Sequence, residues 1–288
     1  MLVSIIIPCK NEGQNLDMTL ESLHQCKVRA QHEIIVVDDG STDGCCEGLS
    51  QRYPLVRFYR GSGLGAARAR NFGASKAKGG IYVFCDAHMI FVPGWLDTLM
   101  FMLEHDKAGA AAPGIGVLGN PNQVGYGLTW DDRLRVRWLP RPPNEAMEVP
   151  LLPGGCLAVK KEVFKSIDGF DGGFKVWGHE DEEISLKLWL FGHVCCICPE
   201  VIVLHKFRSK HPYSVNFTHV SYNFMRMAIS HFKLERISKL YCILRERTNY
   251  QKIADMLAAS DVHLQREQYI QKRKYNDDWF FNKFEIPF

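Results

Sequence analysis

The sequence contains no apolar run long enough to cross a membrane. A transmembrane helix needs about 20 consecutive apolar residues, and no stretch among the 288 residues approaches that length. Residues 1–8 are apolar, but they are too few for a signal peptide and no basic leader precedes them. We therefore expect a cytoplasmic protein without a transmembrane segment.

A strong charge bias is also missing. The chain has 35 Lys and Arg against 32 Asp and Glu, a formal net charge of +3. Because nucleic-acid binding needs a clustered basic face, we expect no nucleic-acid partner. The hydrophobic content of 46% is ample for a packed core and argues against disorder.

The ten cysteines lack the spacing of a zinc finger. No second Cys or His pair stands at finger distance from the adjacent pairs at 45–46 and 195–196. Adjacent cysteines suit a simple disulfide poorly, and thiols stay reduced in cytosol. We expect small buried hydrophobic residues rather than a zinc cluster.

The first third of the sequence alternates between two hydrophobic periods. β-Branched runs predict strands at 3–8, 33–37, 56–59 and 81–85, and helical periodicity predicts helices at 14–26, 43–53, 65–78 and 93–105. This alternation is typical of an α/β fold with a mostly parallel sheet and flanking helices. Ligands of such sheets bind beyond the carboxyl ends of the strands.

The pattern then changes twice. Residues 119–149 are rich in Pro, Gly and Arg and predict an irregular excursion, followed by strands at 151–159 and 194–203 and helices at 161–166 and 180–191. From residue 217 onward the apolar residues recur at helical spacing. We therefore divide the chain into an α/β domain, residues 1–215, and a helical C-terminal extension, residues 216–288.

Candidate metal ligands stand at two strand ends. Asp86 and His88 follow the strand at 81–85, and His205 ends the apolar run at 201–204. A carboxylate with imidazoles suits Mn²⁺ or another borderline divalent metal. Asp86 and His88 alone are as typical of a solvated loop, but a third ligand from a distant strand favours a metal site. Such an ion would bridge the two phosphates of a nucleotide sugar.

A basic and aromatic segment follows the last of these ligands. Arg208 and His211 offer donors for phosphate, and Tyr213 adds a phenol. Each alone is typical of a surface loop, but beside a metal site they predict a phosphate-binding segment. The glycines at 61–65 would let backbone approach the diphosphate, with Arg68 or Arg70 on the helix that follows.

Carboxylates mark two further positions. Asp39 follows the second strand, where it suits either a turn or acceptance of a hydrogen bond from uracil. Glu180 and Asp181 begin a helix after a Trp-Gly turn, where acidic residues also complement the helix dipole. One carboxylate there could deprotonate an acceptor nucleophile, so we name Asp181 and Glu180 as candidate catalytic residues.

Taken in order, these motifs resemble the GT-A (Rossmann-like) glycosyltransferases of the family-two-like group. The motifs are similar in detail to the catalytic domain of polypeptide N-acetylgalactosaminyltransferases. The matching pieces are SIIIP at 4–8 with Asn11 and Glu12, VDDGSTD at 37–43, RAR at 68–70, DAH at 86–88, GWL at 94–96, GG at 154–155, WG at 177–178 with Glu180, EIS at 183–185, HKFR at 205–208 and HPY at 211–213. The resemblance covers roughly residues 1–215, the expected catalytic domain.

The resemblance implies a UDP-sugar donor and Mn²⁺. Asp86, His88 and His205 would bind the metal, and Asp39 would face the uracil. Arg208, His211 and Tyr213 would form a mobile lid over UDP. We also assign Pro8, Asn11, Glu12 and Arg68 to donor binding. The acceptor stays open between a peptide or protein and a glycan.

Two departures from the family affect the expected chemistry. Its members carry an N-terminal membrane anchor and a C-terminal lectin domain that these residues do not match, and we expect the helices after residue 217 to have no counterpart in them. The extension could form a homodimer interface. The family also has an amide where this chain has Asp181, so we expect an inverting reaction with Asp181 as the base. The alternatives are a retaining N-acetylgalactosaminyltransferase-like enzyme and a catalytically silent nucleotide-sugar binding module.

Overall fold

Strands and helices alternate in the first part of the chain, in a computed structural model that describes residues 1–105, 108–141, 146–245 and 249–288. The strands are β1 (Val3–Cys9), β2 (His32–Asp38), β3 (Val56–Arg60), β4 (Ile81–Cys85) and the short β5 (Met89–Ile90). Between and after them lie α1 (Asn15–Gln25), α2 (Leu49–Arg52), α3 (Ala66–Lys76) and α4 (Trp95–His105).

The second part is richer in strands and ends in helices. Its strands are β6 (Ala108–Val117), β7 (Asn120–Gly125), β8 (Leu128–Trp130), β9 (Val136–Trp138), β10 (Met147–Glu148), β11 (Cys156–Lys160) and β12 (Val194–His205). Its helices are α5 (Lys161–Ser166), α6 (Glu180–Leu190), α7 (Phe217–His231), α8 (Leu234–Leu244), α9 (Tyr250–Ala258), α10 (Val262–Lys272) and α11 (Asp277–Lys283).

One large sheet organises these elements, in the order β10-β12-β6-β11-β4-β1-β2-β3. Strands β1 to β4, β6 and β12 run in one direction, whereas β11 and β10 run in the other. The predicted α/β fold, with a mostly parallel sheet, flanking helices and C-terminal helices, is confirmed. Both faces of β1 are buried, since Ile6 packs into one hydrophobic core and Ile5 and Ile7 into another.

The sequence-based prediction was wrong in three regions of the chain. The helix expected at 43–53 is reduced to α2, because Gly44 and Gly48 adopt positive φ angles of 76° and 71° before it. Strand β6 was not predicted, since its many Ala and Gly residues have low strand propensity although nearly all are buried. The region expected to be irregular contains β7 to β10.

Helix α7 connects the C-terminal helices to the rest of the fold. The buried guanidinium of Arg226 donates to Asp171 at 2.8 Å and to Asp261 at 2.7 Å. Asn223 accepts from the Lys175 backbone at 2.7 Å and donates to the Gly178 carbonyl at 3.0 Å, which fixes the segment before α6. The domain boundary at residues 215 and 216 stays a prediction. No helix in the described part of the chain is long and apolar enough to span a membrane.

Candidate active site

A cavity of about 580 Å³ opens at the carboxyl ends of the parallel strands. Its walls combine the ends of β1, β4 and β12 with the start of α6 and the segment after β12. A volume of this size falls in the range of small-molecule sites, roughly 300–1,000 Å³. The fold therefore places this cavity near the position that the strand pattern predicts.

Three candidate metal ligands converge in this cavity. A carboxylate oxygen of Asp86 and one ring nitrogen each of His88 and His205 all lie within 4.8 Å of one another. His205 Nε2 is 3.3 Å and His88 Nε2 is 3.9 Å from Asp86 Oδ2. The side chains of both histidines are mostly buried, with exposures of 12% and 13%. The sequence predicted these residues as a set, and the fold brings them together.

Arg208 and Glu12 lie directly against this triad. The Arg208 guanidinium donates to Glu12 Oε1 at 2.8 Å and approaches His88 Nδ1 to 2.5 Å. Glu12 is buried, and the neighbouring His88 and Arg208 hold its pKa below the usual range although burial opposes this. In this arrangement the basic segment after β12 lies over the cavity, and the Arg208 guanidinium contacts His88.

A buried arginine joins the triad to the acidic start of α6. Arg70 donates from Nη2 to Asp86 Oδ1 and from Nη1 to Glu180 Oε1, each at 3.0 Å. Burial raises the pKa of Asp86, but the hydrogen bond from His205 and the charges of His88 and Arg70 outweigh it and keep the pKa well below normal. Asp86 is thus held as a carboxylate, the form that binds a cation.

Glu180 and Asp181 occupy different environments. Glu180 is buried, with one oxygen paired to Arg70 and the other accepting from the Gly178 amide at 2.9 Å. Asp181 is half-buried and lines the cavity, where its Oδ2 accepts from the Gly154 amide at 3.2 Å. Burial, followed by the charges of Glu180 and Glu182, raises the pKa of Asp181 to about 7. Glu180 is paired with the Arg70 guanidinium, whereas the Asp181 oxygens accept from the backbone amides of Gly154 and Glu182, so Asp181 is the better placed to exchange a proton near neutral pH.

Asp39 holds a glycine-rich loop at the cavity wall. Its carboxylate accepts from the amides of Leu64 at 2.5 Å and Gly65 at 2.8 Å. Gly65 has a φ of +81°, and a Cβ there would lie 2.9 Å from the Val176 carbonyl oxygen, so glycine fits this close approach. The sequence did not predict this loop-supporting role, because it depends on hydrogen bonds between residues 25 and 26 positions apart.

The remaining candidates divide into two groups. Pro8, His211 and Tyr213 line the cavity. Burial raises the pKa of Tyr213 to about 12, so its phenol stays protonated at neutral pH. Arg68 points away, is exposed and donates to the Leu64 carbonyl at 2.7 Å, and Asn11 supports the loop after β2 by accepting from the Thr42 amide at 2.8 Å. Neither Arg68 nor Asn11 is part of the cavity wall.

Aromatic side chains at the cavity mouth complete the site. Trp138 and Phe207 contact each other with ring centroids 6.2 Å apart, and Trp177 packs on His211 at 4.4 Å. Three of these side chains are partly exposed: Trp138 at 44%, Phe207 at 48% and Trp177 at 37%. Exposed aromatic rings beside a polar cavity are suited to stacking on a bound molecule. Their convergence from distant segments had no local signal in the sequence.

The cavity, the triad and the mostly parallel sheet define an α/β protein with a candidate metal-binding site at the carboxyl ends of its strands. The chain belongs to glycosyl transferase family 2, whose family model matches residues 4–168. A second model, the N-terminal domain of galactosyltransferase, matches residues 141–216. The resemblance expected from the motifs is therefore confirmed.

Curated proteins similar to this chain are also glycosyltransferases. Polypeptide N-acetylgalactosaminyltransferase 11 of Xenopus tropicalis is 30% identical over 284 residues, which cover 88% of this chain and 46% of that protein. Polypeptide N-acetylgalactosaminyltransferase 10 of Mus musculus is 28% identical, with 97% of this chain and 49% of that protein covered. The chain thus spans about half the length of these curated relatives.

Solved structures share the fold. GalNAc-T7 with UDP, GalNAc and Mn²⁺ superposes with a TM-score of 0.79 at 24% identity, covering 99% of this chain and 56% of that one. The S. aureus TarS fragment in complex with UDP-GlcNAc gives 0.61 at 17% identity, covering 93% of this chain and 72% of that one. The expectation that the C-terminal helices have no counterpart in such enzymes was wrong, because the GalNAc-T7 likeness extends over nearly the whole chain.

The role of Asp39 leads to a direct prediction. In Asp39→Ala the amides of Leu64 and Gly65 lose a charged acceptor worth about 1.5–3 kcal/mol per hydrogen bond. We expect their hydrogen exchange to accelerate by about tenfold or more, measured by NMR or by mass spectrometry of peptides covering residues 61–66.

Asp43→Ala is the matched control. Asp43 accepts from the amides of Gly13 and Cys45, at 2.8 and 3.0 Å, so its removal should accelerate exchange there and leave Leu64 and Gly65 unchanged. Equal protection of Leu64 and Gly65 in Asp39→Ala and the wild type would show that the carboxylate does not support this loop.

Proposed function

We propose that this chain is a metal-dependent glycosyltransferase that uses a UDP-sugar donor. The observation that carries the proposal is the convergence of Asp86, His88 and His205 in the cavity at the carboxyl ends of the sheet. The names of the relatives support it, since these are polypeptide N-acetylgalactosaminyltransferases. Support also comes from the fold neighbours, of which GalNAc-T7 was solved with UDP, GalNAc and Mn²⁺ and a mannosyltransferase with GDP-Man and Mn²⁺.

The residues present fit a divalent metal. One carboxylate and two imidazoles form a donor set suited to Mn²⁺, and Asp86 is kept ionised by its neighbours. His205 directs Nε2 towards Asp86, while its buried Nδ1 has no hydrogen-bond partner among the described residues. When bound, Mn²⁺ would neutralise charge on the diphosphate leaving group.

The chain's own residues would bind and orient the donor around that metal. Arg208 now contacts His88 and Glu12. We propose that it turns to the diphosphate when the donor arrives, because a guanidinium forms bidentate, charge-assisted hydrogen bonds with phosphate oxygens. His211 and Tyr213 lie on the same segment and would close with it. Asp39 would keep its two backbone donors, and any contact with uracil would use a remaining lone pair of that carboxylate.

For the chemical step we propose inversion with Asp181 as the base. An in-line displacement needs a carboxylate beside the acceptor nucleophile, on the side opposite the departing diphosphate. Asp181 lines the cavity and has a pKa of about 7, so it can accept a proton near neutral pH. Asp181 also lies within residues 141–216, the part of the chain that matches the N-terminal domain of galactosyltransferase. Glu180 positions the site through Arg70 instead.

The alternatives remain a retaining N-acetylgalactosaminyltransferase-like enzyme and a silent nucleotide-sugar binding module. The site is compatible with several donor sugars. The acceptor stays open between a peptide or protein and a glycan. The partly exposed Trp138, Phe207 and Trp177 would supply stacking surfaces for an acceptor. A homodimer through the C-terminal helices and a cytoplasmic location stay predictions from the sequence.

Turnover with a panel of UDP-sugars and Mn²⁺ tests the proposal. We expect release of UDP with at least one donor, abolished by chelation and restored by Mn²⁺. Removing a residue that only orients a metal ligand typically costs about 10–100-fold, so loss of the ligand itself in His205→Ala should lower turnover by at least about 100-fold. Folding is checked by circular dichroism.

His105→Ala is the control, because His105 is an exposed histidine at the end of α4, outside the cavity. It should keep wild-type turnover. Unchanged turnover of His205→Ala in metal-replete buffer would remove His205 from the site, and donor binding without any turnover would favour the silent module.

The proposed base predicts the pH profile. A base acts in its ionised form, so the rate should fall as the pH drops below about 7, the pKa of Asp181. In Asp181→Asn the rate should drop by about 10²–10⁴-fold with UDP affinity preserved. The linkage in the product, followed by NMR, should be inverted relative to the donor. Retained configuration, or full activity of Asp181→Asn, would contradict the assignment.

A further inference from the structure

Three cysteine thiols converge beside the donor cavity, away from the Asp86 triad. Cys9 ends β1, and Cys45 and Cys46 belong to the turn after β2. The three sulfur atoms lie within 4.8 Å of one another. Cys9 Sγ is 3.6 Å and Cys45 Sγ is 3.9 Å from Cys46 Sγ. No role in the proposed glycosyl transfer accounts for this cluster.

The sulfur spacing matches shared coordination of one ion. A tetrahedral zinc site has Zn–S bonds of about 2.3 Å, which places its sulfur atoms about 3.8 Å apart. The two measured separations, 3.6 and 3.9 Å, lie on either side of that value. A disulfide needs a separation of about 2.05 Å, so no pair is bonded in this arrangement.

The turn that carries two of the thiols is fixed by its own hydrogen bonds. Asp43 accepts from the Cys45 amide at 3.0 Å and from the Gly13 amide at 2.8 Å. Ser41 accepts from the Asn11 amide at 3.0 Å, and Asn11 in turn accepts from the Thr42 amide at 2.8 Å. The backbone therefore holds the turn against the end of β1, and the sulfur atoms are brought together without a further conformational change.

We propose that Cys9, Cys45 and Cys46 form a second metal site that binds a thiophilic cation of the zinc class. Three thiolates would occupy three positions, and water would take the fourth, because no other described Cys, His, Asp or Glu belongs to this group. Each thiol releases its proton to solvent as its sulfur binds the ion. Thiolate sulfur selects soft cations, whereas the carboxylate and imidazoles of the Asp86 triad suit Mn²⁺.

Full ionisation of three adjacent thiols would place three negative charges close together. A divalent cation between the sulfur atoms would compensate much of that charge.

The position of the site gives it a structural consequence. Cys9 also lines the donor cavity, and the turn that carries Cys45 and Cys46 follows directly after Asp39. An ion held by all three would join the end of β1 to this turn, and stabilise one wall of the cavity. The proposal does not depend on the identity of the donor or on the reaction.

Cobalt binding to the full, reduced chain tests this proposal, because thiolate-bound Co²⁺ has intense charge-transfer absorption that carboxylate and imidazole ligands do not give. We expect charge-transfer bands that saturate at one Co²⁺ per chain and disappear on addition of Zn²⁺. Cys46→Ser should weaken this cobalt binding by about 100-fold or more, the loss expected when a ligand is removed. Asp86→Asn should keep the bands, since it changes only the other site.

Cys26→Ser is the matched control, because Cys26 is also a partly buried free thiol but lies outside the cluster. It should leave the bands unchanged. Alkylation of the wild type provides a test without substitution: Zn²⁺ should protect Cys46 from iodoacetamide and leave the exposed Cys242 reactive. Absence of charge-transfer bands, bands that persist in Cys46→Ser, or equal alkylation of Cys46 with and without Zn²⁺ would overturn the proposal.

Discussion

The architecture of the site depends on the ion pairs that the Arg70 guanidinium makes with Asp86 and Glu180. The guanidinium joins Asp86 at the end of β4 to Glu180 at the start of α6, both at 3.0 Å, in a nearly dry environment. A buried charge of this kind is tolerated only when it is paired on more than one side, and removing one partner of such a pair typically costs about 3–5 kcal/mol. Arg70 therefore fixes the metal triad relative to the acidic helix.

The two adjacent carboxylates at the start of α6 differ in their partners. Glu180 pairs with Arg70. Burial, followed by the charges of Glu180 and Glu182, raises the pKa of Asp181 to about 7, although the charge of Arg70 acts in the opposite direction. One carboxylate thus becomes a fixed support and the other a group that titrates near neutral pH. Environments that separate the pKa values of neighbouring acids are a common way to assign different roles to them.

The part of this site that the sequence predicts lies at strand ends. Asp86, His88 and His205 each follow an apolar run, so an α/β pattern was enough to expect them at one edge of the sheet. The loop contacts of Asp39 and the pairing of Glu180 were beyond prediction, because each needs a partner from a distant segment. Strand β6 was missed because burial overrides the weak strand propensity of its Ala and Gly residues.

The cysteine cluster could not be predicted from the sequence either. Cys9 is far in sequence from Cys45 and Cys46, so the spacing of the three residues does not resemble a zinc finger. Only the parallel pairing of β1 with β2 brings the end of one strand beside the turn that follows the other. The two clusters differ in ligand chemistry, which gives each its own class of cation.

We propose that Asp86, His88 and His205 together hold the cation that binds the diphosphate. Anomalous diffraction at the manganese edge, from crystals grown with Mn²⁺ and UDP, measures this directly. We expect one manganese peak bonded to all three side chains and to diphosphate oxygens, with Arg208 moved from His88 to the phosphate. Manganese bound elsewhere, or UDP bound with His88 still against Arg208 and no metal between the three side chains, would contradict it.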